Sequence, residues 1–239
     1  MKIKIFKTKQ EVAKNFSKFL ADFISRRDKV RIALSGGSTP KEVFDELAAN
    51  YADKIDWSKV YLFWGDERCV PPTDDESNYK MTVEHLISKI VIPKKNIHRI
   101  KGENDPNYEA KRYSKLLNKE LPKKNKLPSF DLVILGMGDD GHTVSIFPHE
   151  IFLWDVKRNC EVAHHPVSGQ RRVTLGGRLI NNADQVVFLV TGESKAAKVL
   201  EITSREGDYK KYPASRVDPK SGNLIWFLDA AAGTISTRS

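Results

Sequence analysis

Asp140 and His142 stand in one short run, Gly136-Met137-Gly138-Asp139-Asp140-Gly141-His142, directly after the apolar stretch Leu132–Leu135. An imidazole next to a carboxylate is equipped for proton transfer, because an ordinary histidine pKa near ~6.5 leaves the ring neutral yet basic around neutrality. The carboxylate either orients the ring and stabilises its charged form, as an acid does in a triad, or simply holds the turn. The same run matches G-x-G-x-x-G, the dinucleotide fingerprint. Asp139 and Asp140 would then meet a pyrophosphate with like charge, opposing the attraction a helix N-terminus offers to anions. Proton transfer is the better reading, and neither NAD nor FAD is expected.

Other polar clusters follow other apolar runs. Ser35-Gly36-Gly37-Ser38-Thr39-Pro40 comes after Val30–Leu34 and before a helical pattern. Gly36, Gly37, Ser38 and Thr39 would offer backbone N–H groups, hydroxyls and a helix dipole to a phosphate. A tight turn capped by Ser38 or Thr39 is the plainer alternative. The P-loop lysine is missing, which disfavours a nucleoside triphosphate. Asp66, Glu67 and Arg68 follow Val60–Trp64, and Lys195 follows Gln185–Val190. Ser145 is a tempting nucleophile, but no G-x-S-x-G elbow surrounds it, so water is the expected nucleophile. Cys160, His164 and His165 lack the paired spacing of a structural zinc site. No metal is expected.

The elements that must position these groups alternate. Residues 2–6, 30–34, 60–64, 132–135, 171–175, 185–190 and 224–228 read as strands. Helical periodicity runs over 10–27, after Pro40, over 77–90 and 105–120, and after Lys195, with a short helix or turn at 179–183. His98, in Asn96–Ile100, is expected to pack or face solvent. The basic stretch Leu121–Ser129 is expected to be a surface connection. Such alternation predicts a three-layer α/β/α sandwich on a mainly parallel, Rossmann-like sheet, as a single domain over 1–239. Ligands in such sheets sit beyond the carboxyl ends of the strands, which is where the clusters after Leu34, Trp64, Leu135 and Val190 fall.

Composition excludes several classes. The chain has 239 residues, 40% of them hydrophobic and 30% charged, as in an ordered globular protein. No apolar run approaches the roughly 18 residues that span a bilayer, and the basic start has no secretory apolar core. Cys69 and Cys160 are too few and too far apart for a disulfide framework, so a cytoplasmic protein is expected. Net charge is +9, yet the lysines fall in short clusters without interleaved aromatics. A solvated surface with a mild pull on small anions is expected rather than nucleic-acid binding.

Five blocks in order, SGGSTP, WGDER, GMGDDGHTVSIFP, RRVTL and VTGESKA, resemble those of 6-phosphogluconolactonases. That family lies in a wider superfamily with glucosamine-6-phosphate deaminases and, more remotely, ribose-5-phosphate isomerases. The C-terminal YPASRV and NLIWFLDAAA resemble it too, so the likeness spans about residues 30–232. Deaminases share the Gly-Asp-Gly-His core but carry F-N-E-P soon after it, where this chain has Ser145-Ile146-Phe147-Pro148. Asp139 stands where proline, serine or glutamate is usual, Val144 replaces a usual alanine, and Leu175-Gly176-Gly177-Arg178 departs from the common pattern.

The resemblance implies hydrolysis of 6-phospho-D-glucono-1,5-lactone, the second step of the oxidative pentose phosphate pathway, without a cofactor. His142 would be the base on water, with Asp140 beside it. Arg68 would stabilise the carbonyl oxygen or the phosphate, and Asp66 would position sugar hydroxyls or fix Arg68, with Glu67 next to them. Gly36, Gly37, Ser38, Thr39, Arg172 and Lys195 would hold the phosphate, with Arg171 and Arg178 as rival arginines. The expected partner is a small sugar-phosphate lactone, without nucleic acid or membrane, and the expected state is a monomer or weak homodimer. An aminosugar-phosphate isomerase or deaminase, or a silent sugar-phosphate binding module, is the alternative.

Overall fold

Of the expected apolar runs, all but Arg171–Leu175 become strands of one parallel sheet. The computed structural model describes residues 1–234. The first half of the chain forms β1 (Lys2–Phe6), α1 (Lys9–Ser25), β2 (Val30–Leu34), α2 (Ser38–Asn50), β3 (Val60–Trp64), β4 (Asp66–Arg68), α3 (Asn78–His85), β5 (Ile97–His98) and α4 (Pro106–Glu120). The second half forms β6 (Lys123–Lys124), β7 (Leu127–Pro128), β8 (Leu132–Leu135), β9 (Cys160–His164), β10 (Arg171–Leu175), α5 (Gly177–Ile180), β11 (Gln185–Val190), α6 (Ala196–Ser204) and β12 (Leu224–Asp229).

The main sheet has seven strands in the order β1-β12-β11-β8-β2-β3-β5, and all neighbours are parallel. Helices flank it, which makes the α/β/α sandwich that the alternation predicts. Its middle strand β8 is apolar throughout because both faces are covered, and all of Leu132–Leu135 is buried. Burial of each such side chain contributes about 1.5–3 kcal/mol. α1 starts at Thr8, whose side chain accepts the Glu11 N–H, and buries Val12, Phe16, Leu20 and Ile24. Phe16 meets Phe227 of β12 edge-on at 5.4 Å.

Topology places the site. From β2 the chain runs outward through β3 and β5, whereas from β8 it runs the other way through β11 and β12. The loops after β2 and β8 therefore diverge between adjacent strands and leave a crevice at this switch point. Gly65, between β3 and β4, donates its N–H to Leu34 O (2.8 Å) and accepts from Leu175 N (2.8 Å). It thereby ties the end of β2 to a second, antiparallel sheet, β4-β10-β9.

The strand expected at 171–175 forms as β10 in that second sheet, where it pairs with Asp66–Arg68. Short elements also depart from expectation. The 77–90 pattern gives α3 only to His85, followed by a 3-10 turn at Ile87–Lys89. His98 lies on edge strand β5 and stacks on Phe63 at 4.6 Å. The basic 121–129 stretch forms the small hairpin β6–β7. The short helix or turn expected at 179–183 is α5 followed by a turn, and a side chain at Gly177 would stand 2.1 Å from the Trp154 ring. Burial pushes the Cys69 and Cys160 thiols up to about 11 and about 12, so neither is a thiolate near neutrality.

Candidate active site

The loop after β8 is a tight ring closed by its own backbone. Gly138 N–H donates to His142 O (3.0 Å), and Gly141 N–H donates to Gly138 O (3.0 Å). Gly141 has φ +80° and lies against Tyr212, where no side chain fits. Inside the ring, Asp140 Oδ1 accepts the His142 backbone N–H at 3.0 Å and lies 2.6 Å from its Nδ1. Assigning the Nδ1 proton to this bond leaves Nε2 as the acceptor. Burial works against the Asp140 carboxylate, but the hydrogen bond and charge of His142 outweigh it and hold the carboxyl below its usual range. The His142 ring packs 4.5 Å from Phe147, on the side chain's apolar flank.

Val144, just beyond, has φ +48°, a left-handed conformation that a β-branched residue adopts only under constraint. Such strain costs of order 1–3 kcal/mol and concentrates at functional sites. The constraint is visible: Thr143 Oγ1 donates to Gly136 O (2.8 Å), and Thr143 bridges to Ile146. The turn drives Ser145 inward, where its fully buried hydroxyl donates to Asp66 Oδ2 at 2.5 Å. Ser145 N–H in turn donates to Thr174 Oγ1 (3.2 Å), the residue opposite Asp66 on β10. Asp66 is thus fixed while still lining the cleft.

The cleft also carries cations. Arg68 Nη1 donates to Glu76 O (2.6 Å), and its buried Nε has no partner. Arg172 Nε donates to Gln170 Oε1 (3.2 Å). Neither makes an ion pair among the described residues, and burial, followed by the Arg68 charge, pushes the Arg172 pKa down. Lys195 differs, since its Nζ lies 2.5 Å from Asp139 Oδ1.

The helix N-terminus completes the cleft. The cap of α2 is Gly37 (φ 103°), and no side chain caps the helix. The alternative of a turn capped by Ser38 or Thr39 is therefore not what forms. Thr39 Oγ1 instead meets Thr191 Oγ1 at 2.7 Å, joining the loops after β2 and β11. At Gly36 a side chain would stand 1.8 Å from Asn78 Oδ1, so only glycine lets α3 approach.

Asp66, Arg68, His142, Arg172, Lys195 and the Gly36–Thr39 turn thus line one cleft of about 230 Å³. Asp140 supports it from behind. Glu67 is absent from the lining. Its carboxylate turns inward and accepts the N–H groups of Arg68, Asn78 and Tyr79, each at 2.8 Å, and the Ser77 hydroxyl at 3.1 Å. It is the anchor of the α3 N-terminus, and burial raises its pKa against the pull of those donors. Arg171 and Arg178 are also absent from the lining. Sequence reasoning missed Asn78, which lines the cleft and donates Nδ2–H to Asp66 O (3.0 Å). Its only local signal is its place at the start of α3. Among the described residues, no cluster of His, Cys, Asp and Glu could hold a metal ion. No described helix is long and apolar enough to cross a membrane.

Known proteins share this arrangement of elements. The chain is 42% identical over 228 residues to the 6-phosphogluconolactonase of Haemophilus influenzae, covering 95% of this chain and 96% of that protein. It is 43% identical over 198 residues to the 6-phosphogluconolactonase of Treponema pallidum, covering 81% of this chain and 82% of that one. The solved 6-phosphogluconolactonase from Trypanosoma brucei is similar with a TM-score of 0.86 and 29% identity, over 97% of both chains. Residues 6–226 match the family described as glucosamine-6-phosphate isomerases/6-phosphogluconolactonase, and with that span and those relatives the chain belongs to this family.

Proposed function

We propose that this chain hydrolyses 6-phospho-D-glucono-1,5-lactone to 6-phospho-D-gluconate, the second step of the oxidative pentose phosphate pathway. The observation that carries the reading is the Asp140–His142 contact at 2.6 Å, on a cleft that Arg68 and Arg172 also line. A base together with arginines that make no ion pair suits an uncharged ester joined to a dianionic handle.

In this mechanism His142 Nε2 takes a proton from water as its oxygen bonds to the lactone carbonyl carbon. Asp140 holds the ring and offsets the imidazolium charge. Arg68 stabilises the oxyanion or the phosphate. The intermediate collapses, the ring C–O bond breaks, and the imidazolium returns its proton to the departing ring oxygen. The product carries a new hydroxyl and a new carboxylic acid, which ionises by releasing its proton to solvent. Arg172, Lys195 and the Gly36–Thr39 turn hold the phosphate, and Asp66, fixed by Ser145, faces the sugar hydroxyls. Glu67 acts through the α3 anchor rather than on substrate.

The test follows the disappearance of freshly prepared 6-phosphogluconolactone against its spontaneous rate. Acceleration by wild type, lost in His142→Ala, supports the reading. No acceleration, or ammonia release from glucosamine 6-phosphate, would replace it with the binding or deaminase alternative.

A further inference from the structure

The contact between Asp139 and Lys195 has no part in the mechanism above. Lys195 Nζ lies 2.5 Å from Asp139 Oδ1, joining the loop after β8 to the start of α6. Lys195 is the cation that the cleft shares with Arg68 and Arg172, and it alone of these carries a carboxylate. Asp139 itself does not line the cleft, and its side chain is 69% exposed. It touches neither the base nor the oxyanion wall. We propose that Asp139 is an internal competitor for the substrate's phosphate, occupying Lys195 when the cleft is empty and displaced when a phosphate arrives.

The proposal rests on the reading of Lys195 as a phosphate handle, and the energetics favour an exchangeable partner. An ion pair with so exposed a carboxylate is worth up to about fivefold in an equilibrium. A phosphate dianion brings more charge and three acceptor oxygens to the same ammonium, so it wins the exchange. Lys195, and after it the Ser194 hydroxyl, hold the Asp139 carboxyl below the usual carboxylate range, so the competitor is charged at neutral pH. Substrate and product both carry the phosphate. Asp139 therefore weakens both, which trades affinity for faster product release.

The experiment compares wild type, Asp139→Asn, Lys195→Ala and the double variant. Titration calorimetry with inorganic phosphate and with 6-phosphogluconate reads binding, and lactone hydrolysis reads KM and kcat. Expected for Asp139→Asn is about three- to fivefold tighter phosphate and product binding with a lower KM. In the Lys195→Ala background the same substitution changes nothing. Equal or weaker binding by Asp139→Asn would overturn the proposal. So would an equal gain in the Lys195→Ala background, which is the signature of a general field rather than competition for one ammonium. Turnover by wild type is scored separately, so a failed proposal about Asp139 is distinguishable from a failed lactonase reading.

Discussion

Arg68 and Arg172 stand directly opposite each other across the β4–β10 pair, with a carbonyl and an amide oxygen as their hydrogen-bond partners. Like charges facing across antiparallel strands destabilise a sheet, and burial followed by Arg68 already pushes the Arg172 pKa down. A fold that keeps this pair gains from an anion placed between them. Arg172→Gln should raise KM about tenfold or more, since a hydrogen bond to a charged group is worth about 1.5–3 kcal/mol. Its thermal midpoint without ligand should stay equal or rise. Inorganic phosphate should stabilise wild type more than the variant in a thermal scan. An unchanged KM would remove Arg172 from the phosphate site.

The Asp140–His142 contact makes a pH prediction with a definite sign. The Asp140 pKa is lowered in the fold, so its stabilising contribution is complete above the unfolded carboxylate value near ~3.9. That contribution is lost only as pH falls through the still lower folded value. Circular dichroism should therefore stay unchanged between about pH 5 and 7, because the Asp140 carboxylate does not titrate there. Asp140→Asn should lower kcat by about 10²-fold or more through loss of the orienting charge, and His142→Ala by about 10²–10⁴-fold. An Asp140→Asn variant with normal turnover would reduce Asp140 to a turn residue.

Gly138 is where backbone shape and chemistry meet. A Cβ there would stand 2.2 Å from both Cε1 and Nδ1 of His142 and 2.8 Å from Asp140 Oδ1. Gly138→Ala should push the ring off its partner and cut turnover steeply. Melting should change by less than about 2 kcal/mol, because the strand beneath is untouched. Comparing kcat with thermal stability separates this from general unfolding.

Long, strongly patterned elements were legible. The apolar runs of β2, β3, β8, β11 and β12 and the three-and-four spacing of α1 each reflect burial that the residues themselves demand. Strand ends then pointed to the cleft, because a parallel sheet gathers them at one edge. Shorter features were not legible. β4 and β5 have three and two residues, too few for a period to show, and their pairing is decided by tertiary contact. Glu67 illustrates the limit. Asp-Glu-Arg after a strand reads as three site residues, yet adjacent side chains of a strand face opposite ways, so the middle one turns inward. Its carboxylate satisfies four donors. Glu67→Gln would set an amide N–H against some of them and should lower stability by about 1–3 kcal/mol. Chemical denaturation measures that, and KM should move little once the variant is folded.

Ser145 supplies the sharpest test of how the lactone is opened. Its hydroxyl is fully buried and donates to Asp66 Oδ2 at 2.5 Å, while its N–H is held by Thr174. A nucleophile needs a base on its proton and a path to the carbonyl. Here the partner is Asp66, which lines the cleft, and the His142 imidazole hydrogen-bonds to Asp140 instead. If Ser145 attacked the lactone, Ser145→Ala would abolish turnover, and wild type would show a burst of product release at high enzyme concentration. With water as the nucleophile, Ser145→Ala should keep turnover within about tenfold of wild type, losing only the positioning of Asp66. Its effect should fall on KM and kcat together, and restoring the hydroxyl as Ser145→Thr should recover part of it. Rapid-mixing kinetics on wild type and steady-state kinetics on both variants decide the matter, since a burst in the first or complete loss in Ser145→Ala would move the nucleophile from water to the serine.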